Sequence, residues 1–144
     1  MQIFFTVPGV PVAKARPRGR VITNKFTGKQ FVGMYTPKTT VSFENKVAAF
    51  CYEKYSGPPV DCAVSLSIRT YFPIPKSWPK KKLLEAQTVS IPVTTKPDVD
   101  NVVKAIFDGL NGVLFTDDKQ VYALSITKQY SINPRTEIQV TTVS

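Results

Sequence analysis

The sequence contains no histidine among its 144 residues, and this absence removes several kinds of chemistry at once. Ser-His and Cys-His nucleophilic systems, histidine zinc sites and histidine general bases are all excluded. Any catalysis by this chain must therefore use carboxylates, lysine, tyrosine or a metal-bound water.

Cysteines and long apolar runs are also scarce. Cys51 and Cys62 have neither the spacing of a metal site nor that of a disulfide framework, so we predict two buried free thiols, which suit a reducing cytoplasm. The N-terminus has no basic region before its apolar residues, and Pro8 and Pro11 interrupt them, so we predict no signal peptide. No apolar run approaches the roughly 20 residues that cross a bilayer.

Acidic residues are few and unevenly placed. The chain has ten acids against 19 bases, a net charge of +9 and a pI near 9.7. Residues 98–118 contain five of the acids and one lysine, a formal charge of −4, whereas the rest of the chain has a formal charge of +13. The basic background indicates an anionic partner, with nucleic acid the first candidate. The acidic stretch indicates a divalent metal site within it.

Three helices are predicted. The first covers residues 39–55 and is capped by Thr39 or Ser42, a short one follows a cap at Ser77, and the third covers residues 101–110. The first and third have apolar residues at helical spacing. These two are the main helices of the fold.

The predicted strands surround these helices and contain β-branched and aromatic residues in alternation. They are residues 2–7, a hairpin of 21–23 with 31–35, residues 60–72, 113–115, 119–130 and 136–143. The sequence therefore predicts a single α+β domain over residues 1–144, in which the two main helices pack on one mixed β-sheet.

Four charged residues form the first half of the acidic stretch. Asp98 and Asp100 are two apart after Pro97, and in an extended segment such residues face the same side, so both carboxylates could face one ion. Asp100 is also the predicted N-cap of the third helix. Lys104 and Asp108 follow at i+4 and i+8 from Asp100. Lys104 could contact a phosphate or polarise an attacking water.

The doublet Asp117-Asp118 forms the second half. We expect one member to face the metal and favour Asp118, with Asp117 as a second ligand or a turn residue. Carboxylates from two chain segments suit Mg²⁺, which prefers a few carboxylates, retained waters and phosphate oxygens. Such ions activate water and stabilise charge in phosphodiester hydrolysis.

Each of these features also has a purely structural interpretation. Asp100 could serve as a helix cap alone, Asp100 and Lys104 as a surface ion pair, and the doublet as a solvated turn. An EF-hand beginning at Asp98 is excluded, because its glycine position is Val103 and its glutamate position is Gly109. The conjunction of the acids within a basic chain favours the metal site.

Three segments of the sequence resemble the RusA family of Holliday junction resolvases, the crossover junction endodeoxyribonucleases. They are KPDVDNVVK at 96–104, DGLNG at 108–112 and DDKQV at 117–121. PGVP at 8–11, KARPR at 14–18 and YTPK at 35–38 are also similar to that family. One departure is Gly109, where alanine is common in the family, and we expect mild strain there at the helix end.

The resemblance implies a homodimeric endonuclease, dependent on Mg²⁺ with Mn²⁺ as a substitute, that nicks two opposing strands of a four-way DNA junction in recombination and repair. It implies that Asp98, Asp100 and Asp118 are catalytic and bind metal, with Asp117 as a further metal ligand. It also implies that Lys104 is catalytic, with Asn101 and Asp108 in support. Small basic members of the family are often encoded by phages and prophages. We expect cytoplasmic localisation, and neither a membrane nor a small organic cofactor as a partner.

DNA binding is expected from two basic segments through phosphate contacts. Their candidate residues are Lys14, Arg16, Arg18, Arg20, Lys76, Lys80, Lys81 and Lys82. Two other functions stay open: a nucleic-acid-binding module without catalysis, and a metal-dependent nuclease for other branched DNA or RNA.

Overall fold

Nine helices and strands and a one-turn 3₁₀ helix make up the described part of the chain. The computed structural model describes residues 1–15, 18–35 and 37–143, with the backbone alone for 18–20 and 31–35. In chain order the elements are β1 Gln2–Pro8, β2 Arg18–Thr23, β3 Gln30–Tyr35, α1 Lys38–Lys54, β4 Ala63–Pro73, α2 Lys80–Thr88, α3 Val99–Leu110, the 3₁₀ helix Asp118–Gln120, β5 Val121–Ser131 and β6 Arg135–Val143.

The main sheet is mixed, as predicted. Its strand order is β1-β6-β4-β5, with β5 parallel to β4 and the other neighbours antiparallel. β2 and β3 form a separate two-stranded hairpin. In its turn the Asn24 side chain accepts hydrogen bonds from the backbone N–H groups of Phe26 (2.9 Å) and Thr27 (3.2 Å), and Gly28 has a φ of +71°. That left-handed conformation favours glycine.

The core lies between one face of the main sheet and helices α1 and α3. Phe43, Val47 and Cys51 of α1 and the i, i+4, i+8 series of α3 pack against alternate residues of the strands. Polar side chains of β4, such as Ser65 and Ser67, point to the opposite face. Each fully buried large side chain contributes roughly 1.5–3 kcal/mol. The α+β prediction, with two main helices on a mixed sheet, is confirmed.

The starts of the first two helices differ from the predictions. α1 begins after Pro37 and α2 after Pro79, so the caps predicted at Thr39, Ser42 and Ser77 are wrong. Proline has no N–H group to leave unpaired at a helix start, and its carbonyl accepts the first helical hydrogen bond in both helices. The predicted strand at 113–115 is also wrong, because the backbone N–H groups at 113 and 114 both bond to the carbonyl of Leu110 in a turn.

Gly109 allows a close approach between α3 and α1. It is buried, and a Cβ atom there would lie 2.8 Å from the backbone oxygen of Glu44 and 2.9 Å from Cβ of Val47. The expected strain at the helix end is absent, because the φ of Gly109 lies outside the left-handed region. Glycine at this position is explained by packing between helices.

The two thiols are free but differ in environment. Cys51 is buried, and burial raises its thiol pKa to about 11, whereas Cys62 is half-buried. Burial was predicted for both and is confirmed for Cys51 alone. Across the described ranges, no helix combines the length and apolarity needed to span a membrane.

Candidate functional site

The amino end of α3 presents two acidic side chains. Asp98 is the N-cap residue, with extended backbone, and Asp100 lies in the first turn. The helix therefore begins two residues earlier than predicted, and Asp100 is not the N-cap. Extended backbone ends at Asp98, so the argument that both carboxylates face one side does not apply. Both residues are exposed at the positive end of the helix dipole, which stabilises their negative charges.

The Lys104 ammonium joins the two halves of the acidic stretch. Its Nζ lies 3.1 Å from Oδ1 of Asp108, one turn further along α3, and 3.5 Å from Oδ2 of Asp118. Its pKa is raised, chiefly by the hydrogen bond to Asp108, with smaller contributions from the charges of Asp108 and Asp118. The ion pair considered between Asp100 and Lys104 is replaced by these two contacts.

Asp108 uses both carboxylate oxygens. Its Oδ2 lies 3.1 Å from Nζ of Lys14, which is also 2.8 Å from Oε1 of Glu44 on α1. The hydrogen bond to Glu44 is the largest cause of a raised Lys14 pKa, and the hydrogen bond to Asp108 adds to it. Asp108 therefore contacts two lysines at once, and its supporting role at the site stays a prediction.

Hydrogen bonds from the backbone N–H groups of Lys14 and Ala15 hold this segment beside the site. The Lys14 N–H donates to the backbone oxygen of Asn101 (2.8 Å), and the Ala15 N–H donates to Oγ1 of Thr40 (3.5 Å). Asn101, the other expected supporting residue, thus acts here through its carbonyl. Lys14 was expected to contact DNA, but its ammonium is engaged within the protein.

The doublet lies at the start of the 3₁₀ helix, and its two members have different environments. The Asp117 carboxylate accepts a hydrogen bond from the Lys119 N–H (2.9 Å), and its own N–H donates to Oε1 of Gln120 (2.9 Å). The first of these bonds is the main cause of a lowered Asp117 pKa. Asp117 is therefore a capping residue, while Asp118 is the member that contacts Lys104.

Two anchoring residues escaped the sequence analysis. Gln120 donates from Nε2 to the carbonyls of Val60 (2.8 Å) and Cys62 (2.9 Å), which fixes the doublet against the start of β4. Lys128 of β5 donates from Nζ to the carbonyls of Thr95 (2.9 Å) and Pro97 (2.6 Å), which fixes the segment before Asp98. Both act on backbone atoms distant in sequence, so no local pattern marks them.

The carboxylates match Mg²⁺ in donor type, because the ion prefers a few hard oxygen ligands and retained water. Among the described residues, however, no three potential ligand side chains lie close enough together to hold an ion. Asp118 faces an ammonium instead. Closing Asp98, Asp100 and Asp118 around one ion would require side-chain movement.

An open cleft of about 600 Å³ lies beside the amino end of α3. It is lined by Ala15, Lys96, Pro97, Asp98 and Asn101. Main-chain and side-chain groups of the acidic segment therefore border a space large enough for part of a polymer strand.

Apart from Lys14, the predicted DNA-binding residues fall into two groups. Lys76, Lys80, Lys81 and Lys82 are exposed at and before the start of α2, and Nζ of Lys82 lies 4.1 Å from the centre of the Trp78 ring. Arg16 lies outside the described residues. Arg18 and Arg20 lie on β2, and their side chains are outside the described part as well.

Comparisons with known proteins extend over nearly the whole chain. The family model described as endodeoxyribonuclease RusA matches residues 8–141. The chain is also 39% identical over 144 residues to the uncharacterized protein YqaN of Bacillus subtilis (strain 168), covering 99% of this chain and 97% of that protein.

Proposed function

Because this chain belongs to the RusA endodeoxyribonuclease family, we propose that it is a divalent-metal-dependent enzyme that resolves four-way DNA junctions by two symmetric phosphodiester cuts. One observation carries the proposal. Lys104 lies one helical turn after Asp100 on α3, and its ammonium contacts the Asp118 carboxylate. A cation suited to phosphate therefore lies near both the Asp98–Asp100 segment and the Asp117–Asp118 doublet.

Asp98, Asp100 and Asp118 are the proposed metal ligands, with Asp117 as a further ligand, and Mg²⁺ is the proposed ion, replaceable by Mn²⁺. When bound, the ion would activate water and neutralise charge on the phosphate. Lys104 supplies a positive charge beside the phosphate, and Asp108 keeps the lysine in that position. The partial burial of Asp108, with 19% of its side chain exposed, limits the range over which Lys104 moves.

Phosphate contacts outside the cleft are assigned to the lysines at 76 and 80–82 and to Arg16, Arg18 and Arg20. These contacts supply affinity and salt dependence, with little reading of sequence. A homodimer is proposed because two cuts at symmetry-related strands require two equivalent sites, which a two-fold dimer provides.

The proposal is tested by Asp98→Asn. We expect cleavage of an immobile four-way junction in Mg²⁺ to be lost, while binding is retained or tightened because a negative charge near phosphate is removed. Asp61→Asn is the matched control, since Asp61 is exposed and lies before β4, outside the acidic stretch. Cleavage by Asp98→Asn at the wild-type rate would overturn the site assignment.

Substrate choice is tested separately. Rates on the junction are compared with those on a flap, a linear duplex and an RNA hairpin, and equal rates on all four would remove the resolvase assignment. The pairing of Asp108 and Asp118 with lysines favours an alternative, a DNA-binding module without catalysis. A DNA-binding module without catalysis would cleave none of these substrates with any divalent ion.

A further inference from the structure

A second, mainly apolar cavity lies beside the cleft at α3. Its volume is about 330 Å³, at the small end of the range of ligand pockets, and its walls include Pro11, Phe72, Pro73, Pro75, Pro97 and Tyr130. Lys96 and Pro97 line both this cavity and the cleft that contains Asp98 and Asn101. The two spaces therefore share one dipeptide as a wall.

The walls of this apolar cavity are held in place. The Tyr130 ring packs edge-to-face on Trp78, with ring centres 4.7 Å apart, and the Tyr130 N–H donates to the carbonyl of Ile91 (3.0 Å). Lys128 bonds the carbonyls on either side of Lys96. Phe72 is 7% exposed and forms part of the hydrophobic core. The cavity is therefore a preformed feature of the fold.

The chemistry of the rim identifies an occupant. Lys96 lines both spaces, and the ammonium of Lys82 lies 4.1 Å from the centre of the Trp78 ring, which packs on Tyr130. A flat apolar group attached to a phosphate backbone matches this combination, because aromatic side chains stack on bases while basic side chains contact the phosphates.

Resting on the proposed function, we propose that the apolar cavity receives one unstacked nucleobase of the DNA strand whose scissile phosphate lies at Asp98 and Asp100. Binding would depend on stacking with Tyr130 and on shape, and it would fix the position of the strand relative to Lys104.

The test couples a protein substitution to a DNA substitution, in the Asp98→Asn background so that junctions stay intact. The dissociation constant is measured for Tyr130 and Tyr130→Leu proteins on junctions that have an abasic nucleotide at each position flanking the cut in turn. Comparing the two proteins on each junction cancels the cost of unstacking the base. Tyr52→Leu, at an exposed tyrosine of α1, is the control.

We expect Tyr130→Leu to weaken binding of the normal junction by about 5- to 150-fold, as loss of one base–aromatic stack implies. When the abasic nucleotide replaces the base that enters the cavity, the dissociation constants of the two proteins should agree within about 2-fold. Tyr130→Phe should bind like the parent, since the ring is retained. Tyr52→Leu should show no dependence on any position.

A Tyr130→Leu effect of the same size on every junction, or no effect on any, would overturn the cavity proposal. Junction cleavage by the wild-type protein is measured in parallel. Failure to cut any junction would count against the proposed function, whereas normal cutting with no base-dependent coupling would count against the cavity alone.

Discussion

Asp108 offers a prediction that separates support of the site from support of the fold. Asp108→Asn keeps the size of the side chain but removes the charge that pairs with Lys14 and Lys104, each at 3.1 Å. Ion pairs that solvent reaches contribute about 0.2–1 kcal/mol each, so the loss of both should lower the free energy of unfolding by about 0.4–2 kcal/mol. A urea unfolding curve measures this loss.

Glu137→Gln is the matched control. Glu137 also contacts two cations, Arg135 at 3.0 Å and Arg69 at 3.9 Å, and its side chain is 18% exposed against 19% for Asp108. It lies on β6, on the face of the sheet opposite α3. The two variants should therefore lose similar stability by the same mechanism.

Cleavage should distinguish them. In Asp108→Asn, Lys104 loses the nearer of its two partners, and a displacement of about 1 Å at a reacting phosphate can reduce a rate on the order of 100-fold. We expect a loss of about 10- to 100-fold in junction cleavage for Asp108→Asn and less than about 2-fold for Glu137→Gln. Equal cleavage by both variants would refute the positioning role of Asp108.

Three further predictions concern packing, pH and salt. Gly109→Ala should lower the free energy of unfolding by up to about 2 kcal/mol, because overpacking costs about 1–3 kcal/mol and the better helix propensity of alanine offsets about 1 kcal/mol of this. Urea titrations measure the change, and any stabilisation would contradict the close approach at 2.8 Å. The raised pKa values of Lys14 and Lys104 imply stabilisation that is fully present below the ordinary lysine value of 10.5 and lost as pH rises through the raised values. Thermal unfolding should therefore show stability falling above pH 10.5, less steeply in Asp108→Asn, and identical slopes would refute this origin. Replacing the three lysines at 80–82 by alanine should reduce the slope of log Kd against log salt by about 2–3 for junction binding, and an unchanged slope would remove them from the phosphate contacts.

Local patterns predicted most of the elements but not how the strands pair. The apolar spacing of α3 identified the helix, because a helix that buries one face has an apolar residue at every third or fourth position. Strands were also predicted at 119–130 and 136–143, close to β5 and β6, yet β4 lies between these two strands, and that order depends on contacts across the whole sheet.

The candidate site shows the same division. The acids and Lys104 were identified from their clustering, because charges close in sequence are visible without a structure. The contact of Lys14 with Glu44, 30 residues away, has no local signal, and neither has the bond from Lys128 to Pro97. Asp98 as a helix start was missed because Pro97 made the following residues resemble an extended segment.

The hydrogen atom that serves as the side chain of Gly109 has a consequence for variation among relatives. Where a relative has alanine at this position, its added methyl group meets the backbone oxygen at the position equivalent to Glu44 and the Cβ atom at the position equivalent to Val47, which a smaller side chain would not remove. The two helices should therefore lie farther apart in that relative, and an alanine-containing relative with the same separation between these helices would contradict this explanation.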